Sequence, residues 1–185
     1  SATGFWSFAG GFSASAPGSN AIAIGRGSDA NDANGIAIGL DTDSGATDGI
    51  AIGNFAGYLG PFQATQSVMI GKFNGYAGGA NCVSVGYNCT AKATDSIAIG
   101  NSARVDSSSY TGSVSIGHLS DTLAVGAVAL GRNVQASVAE CTTVNMLQIA
   151  NYANLNYADD TTAAAGGVAL GQIYHTDGAV KVRTT

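Results

Sequence analysis

Charged residues, prolines and long apolar runs are all scarce in this chain, and each shortage excludes a class of protein. Only 10% of the 185 residues are Asp, Glu, Lys or Arg, against about 25% in an average soluble domain. The two prolines are too few for collagen or a proline-rich linker. No run reaches the roughly 18 apolar residues that suggest a membrane-spanning helix. We therefore expect neither a proline-rich fibre nor insertion into a membrane.

Basic residues are spread singly along the chain, and the formal net charge is −5. Binding to nucleic acid needs clustered Lys and Arg side chains that neutralise phosphates. We therefore expect no nucleic-acid partner. The apolar fraction of 45% is too high for a disordered chain, so the composition indicates a folded, mildly acidic protein.

Cysteine occurs three times, at Cys82, Cys89 and Cys141. An odd number cannot pair completely within one chain, and these spacings fit no zinc site. We expect small, buried, apolar side chains at these positions. A structural disulfide between two of them is the alternative.

One four-residue motif recurs eight times and dominates the sequence. Its first and third residues are Ile, Val or Leu, its second is Ala or Ser except for one Met, and its fourth is always Gly. Successive motif glycines are 14, 14, 18, 15, 14, 17 and 14 residues apart. Phe8-Ala9-Gly10 resembles a degenerate ninth copy. The eight glycines, which we interpret as structural repeat positions, are Gly25, Gly39, Gly53, Gly71, Gly86, Gly100, Gly117 and Gly131.

The motif predicts a short strand, because alternate strand residues point to opposite faces. A second, weaker strand of small residues follows each glycine, so a repeat of about 14 residues supplies two strands and two bends. One such turn cannot bury its apolar face, whereas stacked turns can. The sequence therefore predicts an all-β fold, a parallel β-solenoid (a β-roll) of about 14 residues per turn.

The two faces of the motif strand also suggest how chains associate. We expect the aliphatic columns to stack inside as a thin core, and small residues such as Ala23, Ala37, Ala51 and Ala98 to face outward. So thin a core makes a lone solenoid marginal. An uncharged stripe of small residues favours close approach of a partner, and identical chains usually assemble with cyclic symmetry. We therefore expect a parallel homo-oligomer.

The repeated [IV]-[AS]-[IV]-G motif, with small residues at alternate positions after it, resembles the head domain of trimeric autotransporter adhesins, the YadA type. The resemblance extends over about residues 21–136. It implies a left-handed parallel β-roll, a homotrimer, a location on a surface and a binding role without a cofactor. A heptad stalk and membrane-anchor strands, which autotransporters also contain, are not evident in this sequence.

The C-terminal segment differs from the repeats. Gln172 to His175 and Ala179 to Arg183 alternate in polarity, and Asp177-Gly178 is typical of a tight turn, so we expect a β-hairpin. An acidic and alanine-rich run followed by Gly167-Val168-Ala169-Leu170-Gly171 is similar to the closing segment of many small phage virion and tail-fibre proteins. This similarity implies that the roll belongs to a phage fibre or virion protein.

These features suggest four segments. We expect an N-terminal capping segment over 1–20, the repeat domain over 21–143, a connecting segment over 144–165 and the C-terminal hairpin over 166–185. The aromatic residues near the N-terminus are expected to cap one end of the solenoid, because an open edge strand promotes aggregation.

The two long glycine spacings are the best candidates for binding. Insertions in a solenoid form loops, and loops on rigid scaffolds often carry function. The insertions contain Tyr58, Phe62 and Tyr110, whose rings can stack on sugars or anchor protein contacts. We expect these three residues to bind a receptor, with packing over the solenoid as the alternative.

Residues for catalysis or metal binding are few. His118 and His175 have no carboxylate partner nearby in the sequence, so we expect no enzyme. In a trimer, three copies of His118, or of His175, meeting on the axis could hold a metal. The run from Asp41 to Asp48 resembles a calcium loop but lacks the Glu expected near its end, so a solvated loop is favoured.

Two functions fit these observations best. The first is attachment to a host-cell receptor, either a glycan or a surface protein, by multivalent contacts from the surface of a virion or of a bacterial cell. The second is a structural virion protein, either a capsid decoration or a fibre spacer that contacts other virion proteins. An ice-binding solenoid is disfavoured because its threonines are out of register, and a depolymerase would need paired carboxylates in a groove.

Overall fold

The computed structural model describes residues 1–57, 65–73, 76–145 and 152–184. The chain divides into two compact units, Ser1–Asn145 and Met146–Thr185. The first unit contains the repeats, and the second contains the C-terminal hairpin.

Each copy of the repeated motif forms a strand of one ten-stranded sheet in the first unit. β-branched residues at the first and third positions suit a pleated surface. The pairing is parallel and matches motif residue to motif residue: Ile97, for example, pairs with Val83 and with Val114. The strands are β1 (Phe8–Gly10), β2 (Ile22–Ile24), β3 (Ile36–Leu40), β4 (Ile50–Asn54), β5 (Val68–Lys72), β7 (Val83–Tyr87), β9 (Ile97–Asn101), β11 (Val114–Ile116), β13 (Val128–Leu130) and β15 (Thr142–Val144).

A second parallel sheet lies between the motif strands in sequence and has five strands. Isolated bridges between Ser15 and Asp29 and between Asp29 and Asp43 occur at the equivalent place in earlier turns. The strands are β6 (Tyr76–Ala77), β8 (Thr90–Ala91), β10 (Arg104–Val105), β12 (Asp121–Thr122) and β14 (Gln135–Ala136). The predicted parallel β-solenoid of about 14 residues per turn is therefore confirmed, with about nine turns.

The degenerate N-terminal copy of the motif is also a turn of the solenoid. Phe8, Ala9 and Gly10 pair in register with Ile22, Ala23 and Ile24. The residue equivalent to the motif glycine is Gly11, whose φ of 137° matches the φ of 129° at Gly25. Residues 1–20, which we expected to cap the solenoid, thus contribute a strand of the main sheet.

The predicted orientation of the motif is wrong: small side chains fill the interior and aliphatic ones face outward. Ala23 and Ala98 are completely buried, whereas Ile24 and Ile99 are 41% and 36% exposed. The reason is space, because a turn of two short strands brings the two sheets so close that the interior accommodates mostly Ala, Ser, Thr and Cys. Among the described residues, Met69 is the largest completely buried side chain.

Buried hydroxyl and thiol groups complete this interior. Ser96 Oγ donates to the Ala93 carbonyl at 2.6 Å, and Ser113 Oγ donates to the Ala124 carbonyl at 2.8 Å. Cys82 and Cys89 are buried, as the sequence predicts, and free, whereas Cys141 is exposed, so the predicted burial is wrong at that position. These hydrogen bonds offset the cost of burying Ser96 and Ser113, whereas the buried hydroxyls of Thr42, Ser44 and Ser67 have no hydrogen-bond partner in the structure.

The motif glycines allow successive turns to approach closely. Gly39 has a φ of 140°, and a Cβ atom at this position would overlap the carbonyl oxygen of Gly53 in the next turn. Only glycine combines this backbone conformation with so close a neighbour. The glycine column therefore sets the spacing of the stack.

Replacement of a motif glycine should destabilise the solenoid far more than replacement of an exposed glycine. We expect Gly39→Ala to lower the melting temperature strongly, because the new methyl group displaces the next turn. Gly112→Ala is the matched control: its φ is also positive, at 67°, but nothing lies within 4 Å of the added atom. It should cost only the roughly 1–2 kcal/mol of left-handed strain. Equal melting temperatures for the two variants would contradict the close approach of turns.

The second unit confirms the predicted hairpin. Strand β16 (Ile173–Thr176) pairs antiparallel with β17 (Ala179–Val182). A 3-10 turn (Tyr152–Leu155) and helix α1 (Asp160–Ala165) precede the hairpin. Helix α1 begins with a capping box between Asp159 and Thr162.

The hairpin is joined to helix α1 by one buried phenol. Tyr174 is 2% exposed, and its hydroxyl donates to Asp160 Oδ1 at 2.6 Å. This hydrogen bond, together with burial, raises the pKa of Tyr174 to about 12. Tyr174 packs in one cluster with Ala163 and Val168, so the second unit has a small core of its own.

Candidate binding surface

The first bend after each motif strand places one side chain of every turn in a continuous column. Two residues after the motif glycine, the backbone takes a positive φ. The amide of that residue donates to the preceding turn, as from Ser102 to the Tyr87 carbonyl at 2.8 Å. Neighbouring side chains are thus about 4.8 Å apart. The residues of this first-bend column are Ser13, Gly27, Asp41, Phe55, Phe73, Asn88, Ser102, Leu119 and Asn133.

Aromatic rings cluster at the centre of this column. The rings of Phe55 and Phe73 are stacked, with centroids 5.5 Å apart and planes at 11°. Tyr87, at the end of strand β7, meets the edge of Phe73 at 6.0 Å and is 46% exposed. The Lys72 ammonium group lies 5.0 Å from the Phe73 centroid. Together, Phe55, Phe73, Tyr87 and Lys72 form what we term the aromatic cluster.

Bulky side chains at this bend are costly. Phe55, Phe73 and Leu119 have φ values of 56°, 52° and 56°, and the left-handed region costs an ordinary residue roughly 1–2 kcal/mol. The other turns use Gly, Ser, Asn or Asp here, of which Gly, Asn and Asp tolerate this region best. Backbone strain of this kind concentrates at functional sites, which makes this part of the column a candidate site.

A polar groove of about 420 Å³ adjoins the aromatic cluster. Asn88, Ser102 and Leu119 of the first-bend column form one wall, and Thr90 and Arg104 of the second sheet form the other. Asn88 directly follows Tyr87 in the chain, so the groove begins where the aromatic cluster ends.

An ion-pair network includes Arg104 of the groove. Asp106 pairs with both Lys92 and Arg104. Burial tends to raise the pKa of Asp106, but hydrogen bonds and charge from Lys92 and Arg104 outweigh burial and hold it below its usual value. Arg104 also lies opposite Asp121 in the neighbouring strand, where its charge acts to lower the pKa of Asp121 against the larger effect of burial. The guanidinium group therefore lies among carboxylates, and the local charge is balanced.

Of the three residues expected to bind a receptor, the structure describes one. Tyr110 is half-buried in the inserted loop after strand β10, where its amide donates to the Ser107 carbonyl at 3.2 Å. Tyr58 and Phe62 lie outside the described residues. Receptor binding by these three residues stays a prediction.

The histidine and aspartate candidates for metal binding are dispersed. His118 is exposed, and His175 is buried in the hairpin, where its Nδ1 accepts from the Gly178 amide at 3.2 Å. Asp41 faces Arg26 at 3.8 Å, and Asp48 accepts from Asn34 at 2.7 Å. Within the part of the chain that the structure describes, no three metal-ligating side chains of one copy come together.

An acidic pair occupies the second-strand position of two adjacent turns. Asp29 and Asp43 form a parallel bridge, which places like charges side by side. Burial raises the pKa of Asp43, the Asp29 charge adds to this effect, and a hydrogen bond from Asn31 opposes it. The pKa of Asp29 is raised by its own burial. The pair therefore opposes folding when both carboxylates are charged.

Removing one charge of this pair should stabilise the protein in a pH-dependent way. A raised pKa means that the folded chain holds more protons than the unfolded chain near pH 4, so the free energy of unfolding falls as the pH rises through that range. We expect Asp43→Asn to melt at a higher temperature than the wild type at pH 7, with the difference shrinking toward about pH 3.

Asp48→Asn is the matched control, because it changes the net charge equally and Asn20 and Asn34 occupy the same bend in earlier turns. It should change the melting temperature little at either pH. A destabilised Asp43→Asn variant at pH 7 would contradict the repulsion.

Sequence reasoning missed the aromatic cluster and the groove. It concentrated on insertions, whereas Phe55 and Phe73 occupy an ordinary repeat position. The signal was present in the alignment of the repeats, where a phenylalanine stands in two turns at a position that otherwise holds mostly Gly, Ser, Asn or Asp. No sequence pattern indicates the groove beside Arg104, because residues of both sheets form it.

The described repeats match a known family. A family model described as the YadA head domain repeat (2 copies) matches residues 16–42, 77–103 and 111–133. The YadA head is an adhesin-type domain of a generally non-enzymatic family, and YadA-type adhesins are trimeric and lie on the cell surface. No curated protein matches the chain. Among the described residues, no helix is long and apolar enough to cross a membrane.

Proposed function

We propose that this chain, whose repeats match the YadA head domain model over residues 16–42, 77–103 and 111–133, is a trimeric attachment segment that holds its parent particle to a host-cell surface by non-catalytic binding. The observation that carries this proposal is the outward aliphatic face of the ten-stranded sheet. Such a face requires a cover in water, and the resemblance to trimeric adhesins supports further copies of the same chain as that cover.

The aliphatic face is continuous along the stack. Ile24, Ile70, Ile99, Ile116 and Leu130 occupy the same motif position in different turns and are each 36–41% exposed. Contiguous exposed apolar surface of this kind marks an interface. Parallel association of three copies covers it, and each copy then presents the same bends and loops outward.

Association of copies also explains how weak sites would suffice for attachment. Linked sites act at a high effective concentration, so the avidity of three copies exceeds the affinity of one by a large factor. The net charge of −5 favours neutral glycans or basic protein patches over anionic polymers.

A substitution that introduces a charge into the aliphatic face should both dissociate the assembly and weaken attachment. We expect the wild type to have a solution mass near three times the 18.2 kDa of one chain, by light scattering. Ile99→Lys should shift this mass to that of one chain and reduce binding to host cells by two or more orders of magnitude.

Gln135→Lys is the matched control, because it adds the same charge at an exposed position of the second sheet, on strand β14. It should preserve both the mass and the binding. A wild-type chain that is already a monomer would contradict the proposal.

The finer parts of the function are the virion, the receptor and the receptor-binding residues. We propose a phage fibre as the parent assembly on the similarity of the C-terminal segment to virion proteins, and Tyr58, Phe62 and Tyr110 as receptor contacts. A panel of labelled bacterial strains tests this directly: loss of binding in Tyr110→Ala with the trimer intact supports a role in attachment. Binding to no strain supports the alternative, a structural spacer or capsid decoration.

A further inference from the structure

We infer that the edge of the solenoid formed by the aromatic cluster and the adjoining groove is a carbohydrate-binding surface, which takes a neutral glycan with one pyranose ring against Tyr87 and the next in the groove. The inference rests on the proposed attachment function, and it names the class of receptor and the residues that recognise it.

The aromatic cluster supplies the apolar half of sugar recognition. Tyr87 is the most exposed of the three rings. It makes an edge-to-face contact with Phe73, which in turn stacks on Phe55. A ring supported in this way loses little freedom when a ligand stacks on it, which favours affinity. The C–H face of a pyranose is the complementary ligand surface for an exposed aromatic ring.

The groove supplies the polar half. Its lining offers an amide on Asn88, hydroxyls on Thr90 and Ser102, and a guanidinium group on Arg104, so donors and acceptors lie side by side as the hydroxyls of a sugar require. Leu119, 48% exposed, adds an apolar contact. The volume of about 420 Å³ falls in the range of small-ligand sites.

The strained residues of the bend point to the same surface. Phe55 and Phe73 belong to the aromatic cluster, and Leu119 lines the groove. These are the three bulky residues of the first-bend column, and all three border one patch. Because the solenoid folds with Asn or Ser at this bend in neighbouring turns, the backbone does not require bulky residues here, and a role in ligand binding accounts for their presence.

The charge of the site selects a neutral sugar. Asp106 is paired to Arg104, and Asp121 is in register beside it. A carboxylate or sulfate on the ligand would meet these two carboxylates, whereas a hydroxyl can accept from Arg104 without displacing them. Tyr87 lies at the end of strand β7, at the edge of the aliphatic face, and the groove is lined by the first bend and the second sheet, so the inference requires copies of the chain to associate without covering Tyr87.

The test is a glycan array containing neutral, sialylated and uronic-acid oligosaccharides, probed with the full chain and followed by calorimetric titration of the best ligand. The wild type should bind at least one neutral glycan. Tyr87→Ser and Arg104→Gln should each weaken that binding at least tenfold. Phe73→Asn should weaken it while keeping the fold, because Asn88 and Asn133 take the same bend.

Arg26→Gln is the matched control. Arg26 is exposed and only loosely paired with Asp41 at 3.8 Å, so its removal should leave glycan binding within twofold of the wild type. Melting temperature and solution mass of every variant show that the fold and assembly are intact.

The outcomes separate this inference from the proposed function. Binding only to acidic glycans, binding to none, or unchanged binding in Tyr87→Ser and Arg104→Gln would overturn the inference. If the chain still attaches to cells in those cases, the proposed function stands without this site. Binding of a neutral glycan that the variants lose, without attachment to any cell, upholds the site and contradicts the attachment function.

Discussion

The close approach of successive turns at the glycine column is the constraint on which the rest of the structure depends. Each motif glycine except the last, Gly131, faces the carbonyl of the glycine in the next turn, as Gly39 faces Gly53, at a separation that no side chain permits. This contact fixes the spacing of the stack and the tight bend that follows each strand. Because each turn of the solenoid is narrow, its interior accommodates only small side chains. The large side chains of the strands and bends therefore lie on the surface, where they form the assembly face and the candidate site.

The interior inverts the usual arrangement of a β protein. Ala98 and its column neighbours Ser84 and Ser115 are completely buried, and the larger aliphatic side chains of the same strands face outward. A solenoid of this type places its most hydrophobic columns on the surface, where they can drive association. The first bend lies at the edge of this face, so a ligand site there and an assembly interface on the sheet can coexist.

Much of the fold could be predicted from the sequence, because a fixed period of Gly and aliphatic residues specifies strands, bends and parallel register. The hairpin followed from the Asp177-Gly178 turn, and Tyr174 shows how its sheet is joined to a helix. The orientation of Ala98 and Ile99 could not be derived, since alternation separates two faces without saying which lies inside. That choice is made by the distance between sheets, and the groove beside Arg104 likewise depends on two strands distant in sequence.

The most direct measurement of the central claim is the thermal stability of Ala98→Leu compared with Ala98→Ser. Filling the narrow interior with three more carbon atoms should lower the melting temperature markedly, since overpacking of a tight core costs about 1–3 kcal/mol. Serine, which Ser84 and Ser115 already place at this position in adjacent turns, should be tolerated. An Ala98→Leu variant as stable as the wild type would contradict a small-residue interior and restore the aliphatic columns to the core.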